Sequence, residues 1–515
     1  MRSTFHGLEV SKRGIFAQQT SLNTVSHNIA NANTEGFTRQ RTNMVATTGL
    51  PYPGLEASRE PGILGTGVQI SELQRLREGF LDLQFRNENK HLGYWEAKSN
   101  GLMKIETIMN EPSETGLQKV MDQFWQSWQD LTKEPDSQAA RAVVRQRAIA
   151  IAESFSAAHT SMKELQSDLN DVIMAKVSEA NSLAKQISNL NQQISDLVPH
   201  GYQPNDLYDQ RDLLLDKLSK IVEVKVTNST QGMINVTVDG QELVVGRASR
   251  TLATVQNTTT GLVDITLDGQ LFTPQNGGLA GTLQTRGIAQ VDANGSVTIS
   301  GTIPDIQKRI DLLAANLTKQ LNDLHRTGLN LDDIGLRSTS PSDIPFFVNS
   351  NSLSTDPNTK DYPTNAGNIS INPEILKSLN KIAAAKPDPN ATPPGSSYEG
   401  DPRMALEIAA IKFKIIQSGN GPTDLPETST LDDFYRYTIA QLGIDSQEAN
   451  RMEKNTTILV GTVDAQRQSV SGVSLDEEMA DMLRYQKAYS AAARMMTAVD
   501  EVLDKIINGT GRVGL

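Results

Sequence analysis

Cysteine is absent from all 515 residues, which excludes disulfides, thiolate metal sites and thiol catalysis and makes the redox state of the compartment irrelevant. A chain this long without a thiol suits secretion. Aromatic residues are only 5% and hydrophobic residues 37%, little for a compact enzyme and in keeping with long helices that carry narrow apolar seams. No run of about 18 apolar residues occurs, so no membrane span is expected. The opening MRSTFHGLEVSKRG lacks the apolar core of a cleavable signal, and any export is expected to take another route. Positive charge is in deficit: 48 Lys and Arg against 60 Asp and Glu give a net charge of −12, which repels phosphate and disfavours nucleic acid as a partner. The length predicts two to four domains at about 100–200 residues each.

Side chains arranged for chemistry are also scarce. Six histidines (His6, His27, His91, His159, His200, His325) are scattered without ligand spacing, and each is expected on a helix or loop surface. Gly62, Gly65 and Gly67 have the wrong spacing for a dinucleotide loop, and no βαβ pattern follows them. Asp206, Asp209 and Asp212 recur every three residues along one side of a helix; with Arg211 and Lys217 nearby, a solvated face is expected rather than a cation site. Trp125 and Trp128 share one helical face and are read as core. No catalytic residue, metal or cofactor is assigned, and no enzyme is expected.

What the sequence does have is periodicity. Leu8, Ile15, Leu22 and Ile29 recur every seven residues, with Val25 between them, and predict a one-stripe helix over residues 5–29. Residues 41–72 are rich in Gly, Pro and Thr, including GLPYPG and GILGTG, and read as extended chain with turns. Helix is expected over 72–109 and again, as one very long element, over 138–197, where Phe155, Met162, Leu169, Leu183, Leu190 and Leu197 stay in phase. Such a rod, about 90 Å at about 1.5 Å per residue, needs partners along its length.

A short helix is predicted over 206–219, after which the period drops to two. Val222, Val224 and Val226, then Ile234, Val236 and Val238, alternate with polar residues, and Asp239-Gly240, Asp268-Gly269 and Asn294-Gly295 are favoured hairpin dipeptides. Residues 221–300 therefore predict a small antiparallel β-domain inserted into a helical protein. Helix returns over 306–324, a loop-rich stretch follows with KPDPNATPPGSS (386–397) as its most disordered-looking part, and from 431 the chain reads as helix except at 469–474.

The last helix opens at Ser474 with Glu477 three residues on, a capping-box pattern. Leu475, Met482, Tyr489, Met496 and Leu503 lie seven apart, with Tyr485, Ala492, Val499 and Ile506 as a companion row. Five basic against two acidic residues in 1–41, and five basic against seven acidic in 474–515, give the two ends opposite charge. The first and last helices are expected to pair, within a subunit or between neighbours.

Between the first helix and the rest lies IANANTEGFTRQ (29–40). Asn31 and Asn33 tolerate a left-handed backbone, Gly36 adopts one freely, Phe37 offers a buried anchor, Arg39 can pair with a carboxylate, and Gln40 is a neutral donor and acceptor. With no nucleophile or metal cluster in reach, the segment points to assembly.

The stretch NIANANTEGFTRQ (28–40) resembles the N-terminal signature of bacterial flagellar axial proteins, those of rod, hook and hook-filament junction, and SGVSLDEEMADMLRYQKAYSAAARMMTAVDEVLDKIIN (471–508) resembles their C-terminal counterpart. Interior stretches, among them FLDLQFR, FWQSWQDL, DLYDQRDLLLDKLS and LNDLHRTG, are similar to the hook-associated protein 1 family of junction proteins. The alternatives left open are another axial protein, of hook or distal rod, and an adhesin role for the β-domain. The resemblance implies a mainly α fold with an inserted antiparallel β-domain, elongated and multidomain. Its parts would be a terminal coiled-coil inner-tube domain (1–41 and 471–515), a long-helix rod domain (42–220 and 303–470, with a loop-rich segment 328–430) and an outward β-domain (221–302). It also implies a ring of copies between hook protein and hook-associated protein 3, export through the flagellar type III route, and an export chaperone on the C-terminal helix. The expected assembly interface comprises Leu8, Ile15, Leu22, Val25, Ile29, Asn31, Asn33, Gly36, Phe37, Arg39 and Gln40, with Leu475, Met479, Met482, Tyr485, Tyr489, Met496, Val499, Leu503 and Ile506.

Overall fold

The computed structural model describes residues 5–49, 64–291, 297–352, 354, 361–415 and 429–509. The chain is mainly α with several small antiparallel sheets, as the periodicity predicts. Helix α1 (His6–Ala30) leads into a hairpin of β1 (Gln40–Ala46) and β2 (Val68–Arg75), then α2 (Gly79–Met109), α3 (Leu117–Leu131), α4 (Gln138–Leu197) and α5 (Asn205–Ile221). The β-rich stretch holds β3 (Val224–Asn228), β4 (Ile234–Val238), β5 (Gln241–Val245), β6 (Ala248–Ser249), β7 (Leu252–Gln256), β8 (Val263–Leu267) and β9 (Gln270–Leu271). Then come α6 (Gly277–Arg286), β10 (Ile288–Val291), β11 (Val297–Ser300), α7 (Thr302–His325) and α8 (Leu331–Gly335). The remainder is β12 (Phe347–Asn349), β13 (Ile369–Ile371), α9 (Pro373–Lys377), α10 (Arg403–Ala409), α11 (Leu431–Ser471) and α12 (Leu475–Gly509).

Helix α4 has the bounds that its pattern predicts. Ser137 caps it by accepting from Ala140 N, and buried residues follow the helical period from Val144 to Phe155 and again from Met162 to Ile194. Its first half, through Leu169, packs with Phe124, Trp128, Leu313, Phe346 and Phe347 in one core. From Ile173 to Ile187 it enters a second core with Leu215, Leu218, Val236, Val244 and Ile265. One continuous helix thus spans two cores. Trp125 and Trp128 are core residues, as read from sequence.

In the second core, β3-β4-β5-β6 form one antiparallel sheet and β7-β8-β9 another. Asp239 and Gly240 (φ 44° and 85°), and Asp268 and Gly269 (φ 51° and 80°), close two of the hairpins with both central residues left-handed. Asn294-Gly295 and most of GLPYPG lie outside the described residues, as does Gly62. Residues 221–302 also contain α6, which packs so closely on α2 that a Cβ at Gly281 would meet Tyr94 O at 2.4 Å.

Four expectations need correction. Residues 72–75 are strand, not helix, because β2 pairs with β1, placing Leu73 opposite Thr42 and Arg75 opposite Gln40. The KPDPNATPPGSS stretch is hydrogen-bonded: Gly395 N donates to Asp388 O at 2.7 Å and Asp388 N to Ser396 O at 3.2 Å. Leu197, the last member of the α4 seam, is exposed because Ile194 and Val198, not Leu197, face the neighbouring chain at Gly232. His325 lies in the first core at 2% exposure, not on a surface.

His325 is held neutral by its partners. Nδ1 donates to Ile344 O at 2.7 Å, and Nε2 accepts from Ala383 N at 2.9 Å. Burial, which disfavours the imidazolium, pushes its pKa down to about 4, with nearby Arg141 adding to the shift and the Ile344 bond opposing it. The unfolded chain takes up a proton near pH 6.5 that the folded chain refuses until about pH 4, so this contribution is complete above pH 6.5 and declines as pH falls towards 4. We expect the parent to lose about 2–3 kcal/mol more stability than His325→Asn between pH 7 and pH 4.5, from about 1.4 kcal/mol per pKa unit. Urea unfolding followed by tryptophan fluorescence measures it; equal losses would refute the neutral, buried histidine. Phe155, fully buried where α4 crosses the first core, gives a control for packing alone. Phe155→Ala is expected to cost about 3–5 kcal/mol at either pH.

Candidate assembly interface

The two ends of the chain meet in one molecule. Helices α1 and α12 run antiparallel: a Cβ at Gly7 would lie 3.2 Å from Val499 Cγ2, and one at Gly14 would lie 3.6 Å from Ala492 Cβ. Asn28 Nδ2 donates to Glu478 Oε2 at 3.0 Å. These contacts fall seven residues apart, or a multiple of seven, on both helices. On α1 they fall at Gly7, Gly14 and Asn28, one position before the predicted leucine-isoleucine row, while Ser21, at the same spacing, bonds Thr42 Oγ1 of β1 at 2.8 Å.

That row has a different place. Leu8, Ile15, Leu22 and Ile29 are half-buried flanks of the contact, and Val25 is buried. On α12, Met482, Tyr485, Met496 and Val499 are half-buried and Leu503 is buried. Leu475, Met479, Tyr489 and Ile506 are exposed, because a single partner helix covers only one side of α12. The sequence carried a signal for the true line in its small residues at heptad spacing.

In the corner after α1, Gly36 alone of the expected positions is left-handed, at φ 80°. Asn31 has φ −102° and caps α1 instead, its Nδ2 donating to His27 O at 3.0 Å. Asn33 is exposed. Phe37 is half-buried rather than a buried anchor, set edge-on to His27 with ring centroids 5.4 Å apart. Gln40 is buried; its Nε2 donates to Asp206 Oδ1 at 2.8 Å and its Oε1 accepts from Asn205 Nδ2 at 3.2 Å.

Arg39 makes the carboxylate pairing expected of it. Nε donates to Glu478 Oε1 at 2.6 Å and Nη1 to Glu477 Oε2 at 2.5 Å, while its backbone N donates to Ser471 O. The Glu477 carboxylate thus serves Arg39 rather than the start of its own helix. Asn28, absent from the predicted set, ties three segments: besides Glu478 it donates to Gln40 O at 2.8 Å and accepts from Gln40 N at 3.0 Å. Glu478, also missed, is 1% exposed.

The aspartate face of α5 is a further correction. Only Asp206 is solvated; Asp209 and Asp216 are buried and Asp212 is half-buried. Asp212 pairs with Arg75 at 2.7 Å, Arg86 at 3.3 Å and Arg77 at 3.5 Å, and Asp216 with Arg467 at 2.5 Å and Arg86 at 2.8 Å. Arg77 also binds Asp82 at 2.6 Å. Burial works against the Asp212 carboxylate, yet the guanidinia of Arg77, Arg75 and Arg86 outweigh it and hold the pKa below the usual range. At Asp209 burial wins over Arg75 and the Thr38 N–H, and the pKa is raised. Four arginines from β2, α2, α11 and the loop before α2 thus converge on one face of α5, which joins the terminal pair to the long-helix body. Arg211 points away, to Asn191 Oδ1 and Gly232 O.

No helix is long and apolar enough to cross a membrane among the described residues. Family models match in three places: the flagellar hook-associated protein FlgK helical domain over residues 102–337, the flagella basal body rod protein over 8–38, and the flagellar basal body rod FlgEFG protein C-terminal over 465–509. Flagellar hook-associated protein 1 of Bacillus subtilis is 35% identical, covering 99% of both chains. Its counterpart in Salmonella typhimurium is 28% identical over 96% of this chain and 98% of its own. The solved flagellar hook junction protein FlgK from Burkholderia pseudomallei superposes with a TM-score of 0.57 at 17% identity, covering 75% of this chain and all of that one, which is a likeness of fold. Near-complete coverage at 35% identity settles kinship: the chain belongs to the flagellar hook-associated protein 1 family.

Proposed function

We propose that this chain is a structural subunit of the junction between flagellar hook and filament, where copies build a ring through the outward faces of their joined terminal helices. The observation that carries the reading is the uncovered side of α12. Leu475 is 50% exposed, Met479 51%, Leu483 59%, Met495 59% and Val502 58%, although α1 already occupies one flank. Each such side chain would contribute on the order of 1 kcal/mol when a neighbouring copy removes it from water. Phe16 on α1 is likewise 56% exposed.

In this reading the terminal pair (1–41 and 471–515) lines the inner tube, the long-helix body (42–220 and 303–470) forms the surrounding rod, and 221–302 faces outward. Hook protein lies on one side of the ring and hook-associated protein 3 on the other. The subunit leaves the cell through the flagellar exporter, with a chaperone covering the apolar side of α12 until a sister copy replaces it. Family membership supports the junction role, and the exposed apolar row supports the surface assigned to it.

The double variant Leu483→Ser, Met495→Ser separates folding from assembly, since both side chains face water in the single chain. Helicity and the urea midpoint of the monomer are expected to stay within about 0.5 kcal/mol of the parent. Junction assembly, scored by filament retention in electron micrographs and by swimming in soft agar, is expected to fail. Normal filaments on cells carrying the double variant would remove α12 from the interface.

A further inference from the structure

The line along which α1 and α12 touch is made of small residues on α1, with Gly7 against Val499 and Gly14 against Ala492. A glycine offers no knob and closes no hole. Large side chains at such positions lock two helices axially; at Gly7 and Gly14 of α1 they are missing, the bulky residues stand on the flanks, and the pattern repeats every seven residues on both partners. Moving α12 by one heptad, about 10 Å at 1.5 Å per residue, would set Gly7 against Ala492 and Gly14 against Tyr485, and would keep the same rows of the two helices facing each other. The seam therefore chooses which faces meet and leaves open which residue stands opposite which.

One end of the pair supplies what the seam lacks. Glu478, 1% exposed, is held by Asn28 Nδ2 at 3.0 Å and Arg39 Nε at 2.6 Å. Asn28 is itself fixed by both backbone bonds to Gln40, and Arg39 by Glu477 at 2.5 Å and by the carbonyl of Ser471. Asp481, one turn on, lies 4.0 Å from Arg39 Nη2. A heptad slip would strand the buried Glu478 carboxylate, which is costly to leave unpaired away from water, and would part the half-buried Arg39 from both of its glutamates.

The geometry points to Asn28, Arg39 and Glu478 as a register pin, the device that sets the axial alignment of the terminal helix pair. A single polar contact in an otherwise permissive helical seam is the best-attested means of fixing register. The pin also determines which residues of α12 stand beside each level of α1, and so the shape of the outward surface. Released, α12 reaches the slipped position if its link to α11, residues 472–474, lengthens by about 10 Å, which unwinding about five or six residues at the start of α12 supplies at about 2 Å gained per residue. The inference concerns alignment within one chain, so it stands or falls separately from the assembly reading.

The absence of cysteine makes the test clean, because introduced thiols have no native competitors. Gly14→Cys with Ala492→Cys reports the observed register, the Cβ separation of 3.6 Å lying within the disulfide range of about 3.5–4.5 Å. Gly7→Cys with Ala492→Cys reports the slipped one. In the full-length parent, mild oxidation is expected to close the first pair nearly completely and the second hardly at all. Adding Glu478→Gln, and separately Asn28→Ala, is expected to raise slipped cross-linking at least tenfold while far-ultraviolet circular dichroism keeps its helical amplitude. Unchanged cross-linking in both pin variants would overturn the proposal. So would the joint loss of both cross-links together with helicity, since the contact would then stabilise the pair without setting its alignment.

Discussion

A carboxylate cut off from water has to be answered by fixed partners, and Glu478 finds them 439 and 450 residues earlier in the chain, at Arg39 and Asn28. Much of the terminal region follows from that demand. Asn28 can serve Glu478 only while it sits at the end of α1 against the Gln40 backbone, so α1, the start of β1 and the first turn of α12 are placed together. Because Gln40 also reaches Asn205 and Asp206, the same corner is anchored on α5. From α5 the aspartates carry the connection on to Arg75, Arg77, Arg86 and Arg467. A network of this kind gives little net stability after desolvation, but each misplacement is expensive. Its value lies in direction: it sets how the terminal pair leaves the body of the molecule.

The two cores have a different logic. Helix α4 is long enough to serve both, with aromatic packing around Phe124, Trp128, Phe346 and Phe347 in the first and interleaved valines and leucines in the second. Neither core involves the terminal pair. Helix α12 is held by polar geometry at one end and by a shallow seam beyond it, which leaves most of it exposed to solvent, whereas α1 also rests on the β1-β2 hairpin, with Ser21 Oγ 2.8 Å from Thr42 Oγ1. Burial is thus concentrated away from the chain ends, and specificity is concentrated at them.

This division explains what could be read from the sequence. The 60 residues of α4, the left-handed turns at Asp239-Gly240 and Asp268-Gly269, and the helix break before residue 475 each follow from local pattern, and each was legible. Pairing of the ends was legible too, from matched heptads and opposite charge, as was Arg39 as a partner for a carboxylate. On α12 the contacting Ala492 and Val499 belong to the predicted companion row, whereas on α1 the contacts at Gly7 and Gly14 fall one residue before the predicted one. Heptad reading weights large apolar side chains, whereas two helices approach most closely where side chains are smallest, and Gly7 and Gly14 carry little hydrophobic signal. Asp209, Asp212 and Asp216 look like a solvated face because nothing local announces arginines at 75, 77, 86 and 467. The same holds for His325, whose two backbone partners come from distant segments.

Position 478 shows why such contacts escape a reading based on periodicity. In the α12 pattern it is one acidic residue among three in the first turn, where acids are common because they complement the helix dipole. Its neighbours Asp476 and Glu477 are exposed, as that role allows; Glu478 is turned inward by the same helical geometry that puts Tyr485, Ala492 and Val499 on the α1 side. Its membership of the contact row was visible at spacing seven. Its charge argued against counting it there, because an isolated buried carboxylate is unfavourable. The conflict resolves once Asn28, which holds the matching position on α1, is counted with it. A polar residue in a heptad row on one helix is a defect; the same residue facing an amide and a guanidinium from the other end of the chain is a specification of alignment.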